Sequence, residues 1–283
     1  MSSSSLAITV NKIRGDSARS HVVVEDCVAV EEPLEIRLGY ATPDGHTASS
    51  LSITMRTPGS DGELAIGFLF SESIISSADD ITNVEHCGTA APDTGNHNII
   101  RVDLAPQVAV DMGRLQRHFY TTSSCGVCGK SSLDALRVTG AKPLGLDTDQ
   151  FAKEVLIAMP NALRERQDTF EQTGGLHAAA AFDSQGEILV VREDVGRHNA
   201  VDKVVGTLLT RGLLPASELG LIVSGRASFE LMQKTLVAGF PLLAAVSAPS
   251  SLAVQLAKEF NVSLVGFLRG NTFNIYSAGD RIT

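Results

Sequence analysis

From residue 177 to the end, the sequence alternates short apolar runs with stretches of helical period, and this alternation restricts the fold more than any other feature. Residues 177–182 and 188–191 read as strands around the turn Asp183-Ser184-Gln185-Gly186. Residues 197–209 read as a helix, 219–223 as a strand, 227–238 as a helix, 242–246 as a strand, 250–260 as a helix and 263–267 as a strand, with 273–276 closing the sheet. Short apolar strands separated by helices predict an α/β domain of three layers around a largely parallel sheet. In such sheets ligands bind beyond the carboxyl ends of the strands.

The first half is patterned differently. Residues 1–20 are serine-rich and weakly patterned, which predicts a mobile lead-in. Valine and isoleucine dominate 21–38, with Pro33 marking a break between two strands, and 51–56 alternates apolar and polar as a half-buried strand does. After the turn Thr57-Pro58-Gly59-Ser60, residues 61–70 predict an amphipathic helix with Asp61 as its cap. Further strands are expected at 81–87 and 99–104. Together these predict a small α+β domain over 21–115, with a second domain over 116–283 that is preceded by a cysteine loop at 120–130. Residues 149–173 read as helical, Pro160 separating two helices or opening the second.

Composition excludes some partners. No apolar run approaches the roughly 18 residues a membrane span needs, and Met1-Ser2-Ser3-Ser4-Ser5 lacks the basic-then-apolar order of a secretory signal, so a cytoplasmic protein with no membrane partner is expected. A net charge of −9 argues against nucleic acid, whose binding neutralises many phosphates. An anionic ligand therefore needs a local cluster.

Cys125 and Cys128 lie in Tyr120-Thr121-Thr122-Ser123-Ser124-Cys125-Gly126-Val127-Cys128-Gly129-Lys130, a run mostly of small, polar and glycine residues that would not bury them. In a cytoplasmic chain such a pair points to redox, metal or sulfur chemistry. Lys130-Ser131-Ser132-Leu133 reads as a helix start, where the helix dipole and the lysine favour thiolate over thiol. Cys27, among valines, reads as a strand cysteine; Cys87 stands beside His86.

Three strand-to-helix junctions are rich in polar residues or glycine. In Arg192-Glu193-Asp194-Val195-Gly196-Arg197-His198-Asn199-Ala200-Val201-Asp202-Lys203, apolar Val201, Val204, Val205 and Leu208 would face the sheet. His198, Asn199, Asp202 and Lys203 would crowd the other side, either as a solvated face or, given their concentration at a strand end, as binding groups. In Val223-Ser224-Gly225-Arg226-Ala227-Ser228, Gly225 admits a ligand to the backbone, Ser224 or Ser228 donates or caps, and Arg226 stands beside a helix start suited to phosphate. Ser247-Ala248-Pro249-Ser250-Ser251 repeats that logic, and two such turns could hold a diphosphate. Thr173-Gly174-Gly175-Leu176-His177 places a histidine at the first strand, open between structural and ligand roles, and Arg269-Gly270 is a further anion contact.

Taken together, Arg56-Thr57-Pro58-Gly59, Leu64-Ala65-Ile66-Gly67-Phe68, the cysteine loop, Thr173-Gly174-Gly175-Leu176-His177, Glu193 to Lys203 and the two serine turns resemble the formate dehydrogenase accessory proteins, the FdhD/NarQ sulfurtransferases. The resemblance spans most of the chain after about residue 30, in the family's order. It implies a cytidine-deaminase-like fold and a homodimer that accepts a persulfide from a cysteine desulfurase. The sulfur would pass to a molybdenum or tungsten bis-pterin guanine dinucleotide cofactor, bound as substrate with no permanently bound cofactor and no resident metal, before that cofactor enters the catalytic subunit of formate dehydrogenase. Cys125 matches the persulfide-bearing cysteine and Cys128 its partner. The family's cofactor segment falls on Phe267, Leu268, Arg269, Gly270, Asn271 and Thr272, to which the strand-end reading adds His177, Arg197, His198, Asp202, Ser224, Gly225, Arg226 and Ser228.

Three other functions compete. A thioredoxin-like oxidoreductase expects an apolar strand just before the cysteines, where this chain has Phe119-Tyr120-Thr121-Thr122-Ser123-Ser124. A zinc deaminase needs His-x-Glu, and no histidine here is followed two residues later by glutamate. A non-catalytic metal-binding scaffold needs two more ligands, for which His86 and Cys87 are the candidate pair.

Overall fold

The computed structural model describes residues 4–13, 21–43, 45–92, 94–110, 115, 144 and 150–283. It is a mixed α/β structure containing three sheets. Strands β1 (Ser5–Ile13) and β2 (His21–Ala29) form an antiparallel ribbon. Strands β3 (Glu32–Thr42), β4 (Gly45–Arg56), β5 (Ile81–His86) and β6 (Ile99–Leu104) form a second sheet in the order β4-β3-β6-β5. Strands β7 (His177–Phe182), β8 (Ile188–Asp194), β9 (Gly220–Val223), β10 (Leu242–Ala245), β11 (Ser263–Arg269) and β12 (Thr272–Ser277) form a third, ordered β12-β11-β10-β9-β7-β8. The described helices are α1 (Asp61–Ser71), α2 (Lys153–Arg164), α3 (Asp168–Thr173), α4 (Arg197–Thr210), α5 (Phe229–Val237) and α6 (Ser251–Glu259).

The largest sheet is parallel only at its centre, where β9, β10 and β11 run together; β7, β8 and β12 pair antiparallel. The expectation of a largely parallel sheet fails at both edges because β7–β8 and β11–β12 are joined by tight turns, and only a long crossover can return a chain parallel to itself. Alternation along β7 divides the core. Ala179 and Ala181 face the cluster built with α1, α4, α5 and α6, whereas Ala178, Ala180 and Phe182 face Leu156, Met159 and Leu163 of α2. The first cluster also takes in Leu34, Ile36 and Leu38 of β3, so one core runs from the second sheet into the third.

Four local expectations are corrected. Residues 5–13, expected as a mobile lead-in, form β1, because the valine run of β2 finds its antiparallel neighbour there. Helix α1 is not amphipathic: Leu64, Ala65, Ile66, Gly67, Leu69 and Phe70 are all buried, since the helix lies between the second sheet and α4. Asp61 does not cap it. Ser60 precedes the helix at φ 56° without a side-chain cap, and the buried Asp61 carboxylate instead accepts from Arg56 Nη2 at 3.0 Å and contacts His86 Nε2 at 3.0 Å. Pro160 lies inside α2; the break comes after it, where the Arg166 and Gln167 N–H groups donate to Leu163 and Arg164 carbonyls in a tightened last turn.

Candidate functional site

The directions of the strands bring the polar junctions to one end of the third sheet. The carboxyl ends of β8, β9, β10 and β11 and the start of β7 share that edge, with His177 opposite Asp194. Backbone bonds join the turns side by side: the Ser247 N–H donates to the Gly225 carbonyl at 3.3 Å, and the Phe267 N–H donates to the Ser247 carbonyl at 3.1 Å. Ser224 is tied to β7 twice, its N–H donating to Ala178 O at 2.9 Å and its Oγ accepting from Ala178 N at 2.9 Å.

Beside these turns lies a cleft of about 420 Å³ lined by Arg164, Phe170, Gly174, Gly175, His177 and Ser224. Arg164 lies over the Phe170 ring, 4.0 Å from its centre. The far wall is fixed by Glu193, whose carboxylate accepts from the N–H groups of Thr169 and Phe170 at 3.0 and 2.8 Å. Burial, then the neighbouring Arg197 and His198, lower the His177 pKa, so its ring is neutral near pH 7.

The Arg56-Thr57-Pro58-Gly59 motif acts here through the backbone and hydroxyl of Thr57. The Thr57 N–H donates to Asp194 Oδ2 at 3.2 Å, the Val195 N–H donates to Thr57 Oγ1 at 3.2 Å, and Lys203 Nζ donates to Thr57 O at 3.0 Å. Lys203 and Asp194, both fully buried, form an ion pair of 2.7 Å. Asp194 Oδ1 also accepts from Gly196 N at 2.8 Å and Asn199 Nδ2 at 3.0 Å. The start of α4, carrying Arg197 and His198, is thus fastened to the turn after β4. The polar side of α4 at Asn199, Asp202 and Lys203 is not solvated but packed against the N-terminal half.

The remaining expected residues fall into three groups. His198 lies beside the strand-end edge, Nε2 3.4 Å from Ser228 Oγ and 3.8 Å from Glu230 Oε2; chiefly through His198, the Glu230 carboxyl is held at about 2. Ser228 caps α5 by accepting from Leu231 N. Asp202 belongs elsewhere: its buried carboxylate is taken up by Lys234 Nζ at 2.8 and 3.0 Å and by Ser71 Oγ at 3.0 Å, which makes it a strut between α1, α4 and α5. Leu268 is likewise a core side chain of the α2 face.

Phe267 holds a φ of 53°, uncommon for a residue with a Cβ and costly in backbone strain. Arg269, exposed, lies 5.6 Å over its ring. Gly270, at φ 58°, and Asn271 make the exposed turn to Thr272, and Arg226 is exposed on the neighbouring turn. The structure therefore gathers His177, Arg197, Ser224, Gly225 and the backbone of 267–272 along one edge.

Cys125, Cys128 and the expected helix start at Lys130 lie outside the described residues. His86 has Asp61 against its Nε2, and Cys87 is a partly buried thiol after β5; among the described residues no group of three or more His, Cys, Asp or Glu is placed to hold a metal ion. Cys27 sits in β2, the strand position expected, but is only partly buried where full burial was expected. Sequence reasoning missed Arg164 and Phe170, which look like ordinary amphipathic-helix residues, and Lys234, whose partner Asp202 is distant in the chain.

The FdhD/NarQ family profile matches residues 29–283. A protein from Streptomyces coelicolor named sulfur carrier protein FdhD is 52% identical over 260 residues, covering 91% of this chain and 89% of its own. Proteins of the same name from Mycobacterium tuberculosis and Sulfurisphaera tokodaii are 49% and 42% identical, with 96% and 97% of this chain covered and 97% and 98% of theirs. A crystal structure described as a formate dehydrogenase accessory protein from Desulfotalea psychrophila superposes with a TM-score of 0.71 at 23% identity over 99% of both chains, which shows the shared fold. With its full span of matching sequence, the chain belongs to the FdhD/NarQ family.

Proposed function

We propose that this protein is a sulfur carrier for the maturation of formate dehydrogenase. It takes a persulfide sulfur from a cysteine desulfurase and delivers it to a molybdenum or tungsten bis-pterin guanine dinucleotide cofactor, bound as substrate along the strand-end edge. The reading rests on one observation above the others: relatives named as sulfur carriers are about half identical to this chain over nine-tenths of its length. The edge built from His177, Arg197, Gly225 and residues 267–272 suits an anionic, nucleotide-bearing substrate. The protein acts in the cytoplasm as a homodimer, with the catalytic subunit of formate dehydrogenase as its downstream partner.

In the first step the Cys125 thiolate attacks the outer sulfur of the donor persulfide. The donor S–S bond breaks, the donor cysteine leaves as thiolate and Cys125 carries the persulfide. Releasing that sulfur as sulfide requires two electrons. Cys128 supplies them when its thiolate attacks the inner sulfur of Cys125, closing a disulfide as sulfide departs to the substrate.

The test is intact and peptide mass after incubation with a cysteine desulfurase and free cysteine. One added sulfur on the Cys125 peptide, removed by reductant, is expected. If Cys125→Ala still restores formate dehydrogenase activity in cells lacking the native protein, the carrier mechanism is wrong.

A further inference from the structure

Arg197, Arg226 and Arg269 stand at the strand-end edge, and they are not equivalent. Arg226 and Arg269 are exposed, and Arg269 lies over Phe267. Arg197 is partly buried at the first position of α4, and its Nε is sealed from solvent with no hydrogen-bond partner among the described residues. A charged N–H shut away from water without an acceptor costs more than a hydrogen bond returns, so its presence in a well-satisfied site points to an acceptor that arrives from outside.

The surroundings specify what arrives. A Cβ added to Gly225 would stand 3.4 Å from His177 Nδ1 and 3.8 Å from Arg197 Cδ, so the missing side chain leaves bare backbone in a cradle between the two. Helix α4 has no acidic residue in its first turn, and its preceding Gly196 offers no side chain to its free N–H groups. Among the described residues the negative groups nearby are already taken: Asp194 by Lys203, Gly196 N, Asn199 and Thr57 N, and Glu230 by His198. Among the described residues, the group of the cradle left without a partner is the Arg197 Nε.

We infer that Arg197 is the phosphate-holding residue of the strand-end site, gripping one phosphate of a diphosphate ester while the other lies against the bare backbone of Gly225. This deepens the reading of that edge as the substrate site and rests on it for the identity of the diphosphate. Arg226 and Arg269, being solvated, add weaker, screened contacts along the same edge.

Calorimetric titration of the full chain with guanosine diphosphate, inorganic pyrophosphate and guanosine tests this. Arg197→Gln weakens binding of both phosphate probes by about ten-fold or more, whereas Arg226→Gln and Arg269→Gln change it by less than about three-fold. Gly225→Ala, whose new methyl meets only ordinary contacts in the fold, also weakens both, with an unchanged melting temperature showing that the protein is intact. Undiminished phosphate binding by Arg197→Gln, equal losses for all three arginine variants, or binding of guanosine as tight as guanosine diphosphate would each overturn the inference. The failure of the functional reading looks different: Arg197→Gln then loses pyrophosphate yet still restores formate dehydrogenase activity in cells.

Discussion

Helices α1 and α4 pack so closely that two glycines become a quantitative test of the fold. A Cβ on Gly67 would sit 1.8 Å from the carbonyl oxygen of Asp202 and 2.8 Å from the Gly206 nitrogen, and a Cβ on Gly206 would sit 2.0 Å from the Glu63 carbonyl oxygen. Both obstacles are backbone, so no rotamer change relieves them. Opening the Gly67 contact to ordinary van der Waals distance moves the helices apart by roughly 1.5 Å, enough to forfeit a large part of the dispersion contact along the whole interface. Helix propensity alone predicts that Gly67→Ala stabilises by about 0.8–1 kcal/mol. Overpacking costs typically about 1–3 kcal/mol and more where the obstacle cannot yield, so the expected net is a destabilisation of about 3 kcal/mol. For a chain of this size that corresponds to a fall of roughly 6–12 °C in melting temperature. Gly62→Ala is the matched control in the same helix: its Cβ meets Val84 Cγ1 at an ordinary 3.6 Å, and it should be neutral or stabilising. Urea denaturation of both variants beside the wild type measures the difference. A Gly67→Ala midpoint at or above wild type would show that the two helices do not touch as described.

Lys203→Met strands the Asp194 carboxylate in the interior and is expected to cost about 3–5 kcal/mol, against no measurable change for Lys153→Met in its exposed pair with Glu154; a loss under about 1 kcal/mol would contradict the buried pair. The His177 pKa is lowered below 6.5 by burial first and then by Arg197, so NMR titration should find it rising in Arg197→Gln while remaining depressed by burial. Because the folded pKa is the lower one, the neutral ring's contribution is complete above pH 6.5 and is lost as pH falls through the folded value, so stability declines with acid across that window, and a stability independent of pH there would count against it. At Phe267, with φ 53°, replacement by glycine should leave a protein more stable than replacement by alanine by about 1 kcal/mol, the reverse of the order in an ordinary strand; equal stabilities would mean that the strand end is relaxed.

The order of strands and helices after residue 177 was legible because each short apolar run and each helical period is a local property, set by which side of a short element must leave water. The strand-end junctions were legible for the same reason: glycine, serine and arginine clustered where an apolar run stops. The pairing directions at the sheet edges were less so, since they depend on turns whose tightness the residues only suggest. The roles on α4 were hidden altogether. His198, Asn199, Asp202 and Lys203 form one polar group in the sequence, yet Lys203 closes on Asp194 under the turn at Thr57, Asp202 closes on Lys234, and His198 stays at the open edge. A charged side chain's role depends on which opposite charge the chain brings within reach, and those partners come from segments far apart in sequence. The family motifs identified the family from residue types alone, and the roles expected of Cys125 and Cys128 lie outside the described residues. Packing separated Arg197, whose Nε has no partner among the described residues, from Asp202, whose charge is spent on holding the helices together, because only the folded chain decides which groups come within reach of a buried one.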